Sequence, residues 1–414
     1  MCLSIRWSMW SALACAAAVL AVGGTASADE VAGTANISCP DLYVLGVQGT
    51  SESSSAADPS AISGMIGTVF GPMLAQEGVI GHATIPYPAG FGGAPGTGPS
   101  TESFAASVTE AGDRLDAAAA DVVARCPETR IAVAAYSQGA GGAADFARRV
   151  GAGQGPVNSD QVAGVALLSD WTRPYGPDPI PGRPGQTSPD PVPGTDGAAT
   201  TQIHFGPVPA SGGIGSESEG FGDLTGRVAE ICTPGDLSCD APENAQAFRA
   251  AAGLAAQADL RDPISAAHSL GEAWSSAASK ASTTVVLDDL HVDQGQVNLV
   301  PAESLSERVA DAADPREPMP TSDQQQAVAA KFGEAVAAVV TDPAQIPRLA
   351  GQVGAAIAAN LADNAALADP ATWARIATTV AAHTSYAANG ASQQVADWFA
   401  SAARDLALGE GGSQ

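Results

Sequence analysis

The chain has 414 residues, 45% of them apolar, and a formal net charge of −26 from 44 acidic and 18 basic side chains. That length supports a sizeable buried core. A surface this acidic repels phosphate backbones and anionic headgroups, which argues against nucleic acid as a partner.

In chain order, the first feature is an arginine followed by an apolar stretch ending at Ala26-Ser27-Ala28, a small-x-small cleavage pattern. Residues 1–28 therefore read as a signal peptide for export, and no later stretch is apolar enough to span a bilayer. Its removal takes one basic residue and no acidic one, leaving a mature charge of −27. Cys39, Cys126, Cys232 and Cys239 remain. An even number in an exported chain points to two disulfides. Three pairings are open; the short spacing lets Cys232 and Cys239 close a small loop, with Cys39 and Cys126 as the other bridge. No histidine stands at zinc-ligand spacing from these cysteines, and no acidic loop has calcium-binding spacing, so neither a metal nor another cofactor is expected.

"LYVLGV" (42–47) is a strand candidate, "AISGMIGTVFGPMLAQ" (61–76) has helical spacing, and "VIGHATIPY" (79–87) is a second strand. Ser100 is a plausible N-cap for a long amphipathic helix over 100–126. Residues 130–136 form a third strand, 140–151 its following helix, 161–170 a fourth strand and 226–232 a fifth. This alternation predicts an α/β fold, a doubly wound parallel sheet of about five strands covered on both faces. Eight prolines between Pro174 and Pro193 mark 172–218 as a long loop, polyproline-like and without a core face. Residues 241–380 change character: alanine-rich helices are expected over 243–260, 264–280, 322–342 and 342–363, with one isolated strand over 282–292. The last element, 390–408, places Val395, Trp398, Phe399 and Ala402 on one apolar stripe.

"VAAYSQGAGG" (133–142) sets Ser137 between a strand and a helix of small residues. A serine hydroxyl becomes a nucleophile when a base takes its proton, and a tight strand-to-helix elbow presents it over a helix N-terminus. Small residues are needed around such an elbow; Ala135 stands where glycine is usual.

At this point the residues resemble a family. "AAYSQGA" is similar to the "GYSQGA" of the cutinase-like serine esterases. "CPDLYVLGVQGTSE" (39–52) resembles their first strand and turn, "IPYPAG" (85–90) the end of their second strand, "CTPGDLSC" (232–239) their acid loop, and "HTSYAANGASQQVADWFA" (383–400) their histidine loop and final helix. The resemblance implies an α/β-hydrolase fold over 29–240 and 381–410, with 241–380 inserted as a helical subdomain and a possible lid or acyl-chain wall. It implies Ser137 as nucleophile, Asp236 as acid, His383 as base, and Thr50 and Gln138 as oxyanion donors. The pairings Cys39–Cys126 and Cys232–Cys239 agree with it.

Of the other histidines, His82 and His204 precede the acid and His268 falls on a helix. His291, flanked by Asp289 and Asp293, offers a second acid–base pair. Gln48 departs from the arginine common in the family's oxyanion turn. The expected substrate is a carboxylic ester of lipid type, met outside the cell or at the cell envelope, with Trp274, Phe332 and Trp373 as candidate channel residues. Competing expectations are a polysaccharide acetyl esterase and a non-catalytic envelope-binding protein on the same scaffold.

Overall fold

A computed structural model describes residues 39–76, 80–215 and 220–411. The export signal read over 1–28 lies outside them. Five parallel strands form the sheet: β1 (Leu42–Val47), β2 (Ile80–Thr84), β3 (Arg130–Tyr136), β4 (Val162–Leu168) and β5 (Val228–Ile231), in the order β2-β1-β3-β4-β5. Their side chains alternate between two cores. Leu45, Val47, Ile131, Val133 and Ala135 face one layer, whereas Leu42, Val44, Ala132, Ala134 and Tyr136 face the other. Burial on both faces is why these strands read as continuous apolar runs.

The helices follow from the same pattern. Helix α1 (Gly64–Gln76) covers the second face, and α2 (Phe104–Arg125) and α3 (Gln138–Gly151) cover the first. Helix α2 starts later than the sequence implies: Ser103, not Ser100, accepts the Ala106 N–H at 3.2 Å, while Ser100 Oγ accepts from Glu102 N. Cys39–Cys126 ties the entry of β1 to the end of α2, and Cys232–Cys239 closes the loop after β5.

The 172–218 loop is not the open polyproline segment expected. Ile180, Val192 and Phe205 join the second core, and Arg173, 2% exposed, donates to the carbonyls of Cys239, Pro174, Gly176 and Pro209. One buried guanidinium thus satisfies backbone acceptors that no ladder reaches.

Beyond β5 come α4 (Gln246–Ala256) and α5 (Pro263–Thr284), then a π-turn over Val285–Asp289. A hairpin of β6 (Leu290–Asp293) and β7 (Gln296–Leu299) follows. Four helices come next: α6 (Leu305–Ala312), α7 (Ser322–Thr341), α8 (Ile346–Ala362) and α9 (Pro370–His383). The isolated strand expected over 282–292 is therefore mostly helix. Its last residues pair in a hairpin whose turn, Gln294-Gly295, takes positive φ at both positions. Helix α10 (Ala391–Gly411) returns to the sheet. Its stripe of Val395, Trp398, Phe399 and Ala402 is fully buried, with Trp398 against the bare backbone of Gly164. Among the described residues no helix is long and apolar enough to cross a membrane.

Glu230 on β5 is 1% exposed and lies near Asp170, Arg173 and Arg148. Burial, reinforced by the Asp170 carboxylate, pushes its carboxyl well above the usual glutamate range. The folded state therefore holds a proton that the unfolded chain releases. The stability this proton confers is complete below the ordinary glutamate pKa and is lost as pH rises toward the folded value. Glu230→Gln is expected to gain stability over the native chain as pH rises, by about 1.4 kcal/mol per pH unit within that window. Urea midpoints measured from pH 5 to 8 test this; a constant difference would refute the buried proton.

Candidate active site

Strand β3 runs directly into α3, and the turn between them is Ser137, at φ 55° and ψ −119°. A non-glycine residue here is strained, and the surrounding bonds hold it: Ser137 N–H donates to Leu168 O at 2.9 Å, and Ala140 N–H to Ser137 O at 2.9 Å. Close approach dictates the small neighbours. A Cβ on Gly139 would stand 2.4 Å from Gln48 O, and one on Gly49 2.8 Å from the Tyr136 ring. Ala135 is fully buried within β3, so the missing glycine leaves the elbow intact.

Three side chains distant in sequence meet at this elbow. Ser137 Oγ is 2.9 Å from His383 Nε2, and His383 Nδ1 is 2.9 Å from Asp236 Oδ1. His383 ends α9, and its carbonyl accepts from Tyr136 OH at 2.7 Å. Asp236, with no exposed surface, sits on the disulfide-closed loop. Tyr386 OH donates to its Oδ2 at 2.6 Å and Ser238 N–H to its Oδ1 at 3.1 Å. Burial works to raise this carboxyl. His383, Ser169 and Tyr386 outweigh it and hold the group below the usual aspartate range. Burial and the Asp236 carboxylate push Tyr386 far upward, so its hydroxyl remains a donor. With Asp236 ionised, the network assigns the imidazole proton to Nδ1 and leaves Nε2 free to accept.

Among the described residues no other imidazole is within hydrogen-bond reach of Ser137. His82 packs on Phe70, His204 meets Thr187, His268 pairs with Glu272 on an exposed helix face, and His291 lies on the β6–β7 hairpin.

The turn after β1 abuts the elbow. Thr50 lies within it, and the hydrogen bonds of the turn leave the N–H groups of Thr50 and Gln138 without a protein acceptor among the described residues. Gln48 anchors this turn: its amide donates to Ser63 O and accepts from Ile66 N, and its carbonyl accepts from Tyr87 OH. The residue that departs from the family pattern thus ties the turn to the start of α1. Glu52, which the sequence reading passed over, adds bonds from Gly49 N and Met65 N. Ser169 was also missed. Its Oγ is 3.0 Å from His383 Nδ1, and it too takes a positive φ, 61°. Nothing in "LLSD" distinguishes it from an ordinary strand end, whereas Tyr386 stands three residues after His383 in the histidine motif.

A cavity of about 920 Å³ opens at Ser137. Trp274, Phe332 and Trp373 do not line it. Each is more than half exposed, so the expectation that they line a channel at Ser137 is not met.

A parallel sheet with a strained serine at the strand–helix elbow defines an α/β-hydrolase-type enzyme. The family model described as Cutinase matches residues 38–258. The chain belongs to the cutinase family, and it is a carboxylic ester hydrolase. It is 30% identical over 221 residues to the carboxylesterase Culp6 homolog of Corynebacterium glutamicum, a match covering 50% of this chain and 67% of that one. Similar solved structures include the catalytic core domain of acetyl xylan esterase from Trichoderma reesei. That match has 18% identity, 56% of this chain, 98% of that chain and a TM-score of 0.35. Another is lysin B from Mycobacteriophage D29, with 14% identity, 72% of this chain, 91% of that chain and a TM-score of 0.34.

Proposed function

We propose that the chain is an exported serine esterase acting on carboxylic esters of lipid type through an acyl-enzyme. The observation that carries the reading is the relay from Ser137 Oγ through His383 to Asp236, each contact at 2.9 Å. Ser137 Oγ attacks the ester carbonyl carbon while His383 Nε2 takes its proton. The oxyanion forms beside the N–H groups of Thr50 and Gln138 at the positive end of α3. Collapse expels the alcohol, which leaves with the proton from His383. Water then attacks the acyl-enzyme by the same route, with His383 as base, and Ser137 is regenerated. Asp236 orients the imidazole and stabilises its charged form.

Two disulfides support an oxidising location outside the cytoplasm. The segment 241–380 reads as an insertion between the acid loop and His383. The matched family interval already ends at residue 258. The cavity volume and its apolar side support an acyl group larger than acetyl.

A series of p-nitrophenyl esters from acetyl to dodecanoyl tests the substrate class. kcat/KM is expected to rise by about tenfold between acetyl and octanoyl, since each buried methylene is worth about 0.8 kcal/mol before losses to partial burial. A sharp preference for acetyl would overturn the lipid reading in favour of a polysaccharide acetyl esterase.

A further inference from the structure

Helix α9 carries His383 as its last residue, yet along its length only Thr372 is buried, while Trp373 is 54% and Val380 71% exposed. A helix that packs so little apolar surface is not fixed in place by a core face. What it makes is a row of polar contacts to one short segment. Arg375, Thr379 and His383 follow at steps of four residues, so they share one face of the helix. All three reach the loop that carries Asp236. Arg375 Nη2 is 2.8 Å from Asp240 Oδ2 and donates to Asp240 O at 2.9 Å. Thr379 Oγ1 accepts the Leu237 N–H at 2.9 Å, and His383 Nδ1 meets Asp236 Oδ1 at 2.9 Å.

The loop end of each contact is itself held. Asp240 Oδ2 accepts the Gly235 N–H at 2.7 Å, Asp240 N–H donates to Asp236 O at 2.7 Å, and Ser211 Oγ donates to Asp240 Oδ1. The Cys232–Cys239 bridge closes the same loop. The row of α9 contacts therefore rests on a braced segment.

We propose that Arg375 and Thr379 are positioning residues for catalysis: by docking α9 on the acid loop they set the height of His383 between Asp236 and Ser137. Both lie in the segment 241–380 read as an insertion, which then helps to build the site as well as to flank it. The inference rests on the reading of Ser137, His383 and Asp236 as a catalytic relay.

Two physical points carry it. First, a slide of α9 along its axis moves the imidazole against both of its partners at once, because Ser137 Oγ and Asp236 Oδ1 each stand 2.9 Å from one of its nitrogens. A misplacement of about 1 Å costs about 10²-fold in rate. Tyr136 OH, at 2.7 Å from His383 O, holds the end of the helix from the sheet side, so losing one contact on the loop side gives part of that cost. Second, the Leu237 N–H has no acceptor besides Thr379 Oγ1 among the described residues, and Leu237 is 5% exposed. A buried donor left unpaired is costly, so removing this oxygen drives the helix and the loop to rearrange.

The test uses the full chain and p-nitrophenyl octanoate, with active sites counted by fluorophosphonate labelling carried to completion, so that unfolded molecules do not enter the rate. Thr379→Val keeps the shape and removes the acceptor. It is expected to lower kcat per active site by about tenfold and to leave KM within about twofold. Thr379→Ser restores the oxygen and is expected to recover kcat to within about twofold of the native chain. The low-field proton resonance of the His383 Nδ1–H bonded to Asp236 is expected to broaden in the valine variant and to persist in the serine variant. Arg375→Met is expected to lower kcat several-fold in the same way, with Arg375→Lys as its conservative partner. If Thr379→Val does not fold, the arginine pair decides by the same readouts. An unchanged kcat per active site with a lowered melting temperature, a serine variant as slow as the valine one, or a raised KM with kcat intact would overturn the positioning role. A native chain that takes up no fluorophosphonate at Ser137 would instead overturn the relay on which it rests.

Discussion

Replacing Ser137 by alanine is expected to lower kcat on p-nitrophenyl octanoate by about 10⁶-fold, since removing the nucleophile leaves only donors and binding to act on a water attack. The residual rate, roughly 10³–10⁴ above the uncatalysed one, is what the oxyanion donors and the cavity supply without a covalent step. Alanine at φ 55° keeps the backbone strain and loses only the contact to His383 Nε2. The melting temperature should therefore stay close to that of the native chain, which separates lost chemistry from lost structure. Fluorophosphonate labelling of the native chain, mapped by peptide mass, should fall on Ser137 and vanish in the variant. A loss of less than tenfold would mean that another group is the nucleophile.

How far the sequence told this in advance depends on whether a feature was local. The strands were legible because each carries apolar residues on both faces, and β3 was placed at its observed bounds, 130–136. Helix α10 was legible because four residues at helical spacing must all be buried. Ser137, Asp236 and His383 were legible because each sits in a short motif whose glycines, cysteines or aromatics serve the local geometry. What was not legible depends on distant partners. Nothing near Arg173 says that its guanidinium will gather carbonyls from three parts of a proline-rich loop and from Cys239, so that loop read as open. The run "TTVVL" favours a strand by composition, but it continues α5 as helix and π-turn, where tertiary packing overrides propensity. Helices α6 and α9 passed unseen between stronger neighbours. Trp274, Phe332 and Trp373 were assigned by size alone, and size does not say whether a side chain lines a cavity or stands exposed.

The second large effect concerns Asp236. Asp236→Asn is expected to lower kcat by about 10⁴-fold at neutral pH, because an amide cannot accept at both oxygen positions. Tyr386 OH receives the Thr233 N–H at 3.2 Å and donates to Oδ2 at 2.6 Å, so it demands an acceptor there. If the amide oxygen turns to Tyr386, its NH₂ group faces His383 Nδ1 and stabilises the tautomer with the proton on Nε2. That proton points at Ser137 Oγ, and the base is blocked. Ser169 Oγ, at 3.0 Å from Nδ1, accepts from the correct tautomer and keeps a small working population. Releasing the demand of Tyr386 should then help. In the Asp236→Asn background, Tyr386→Phe lets the amide oxygen occupy the Oδ1 position, where it accepts from both His383 Nδ1–H and Ser238 N–H. The double variant is therefore expected to turn over faster than Asp236→Asn alone, although Tyr386→Phe alone slows the native enzyme by removing a donor from an ionised carboxylate. A double-mutant cycle on kcat measures this reversal of sign. Simple additivity of the two losses would show that Asp236 acts on His383 through charge alone, with no part for tautomer selection.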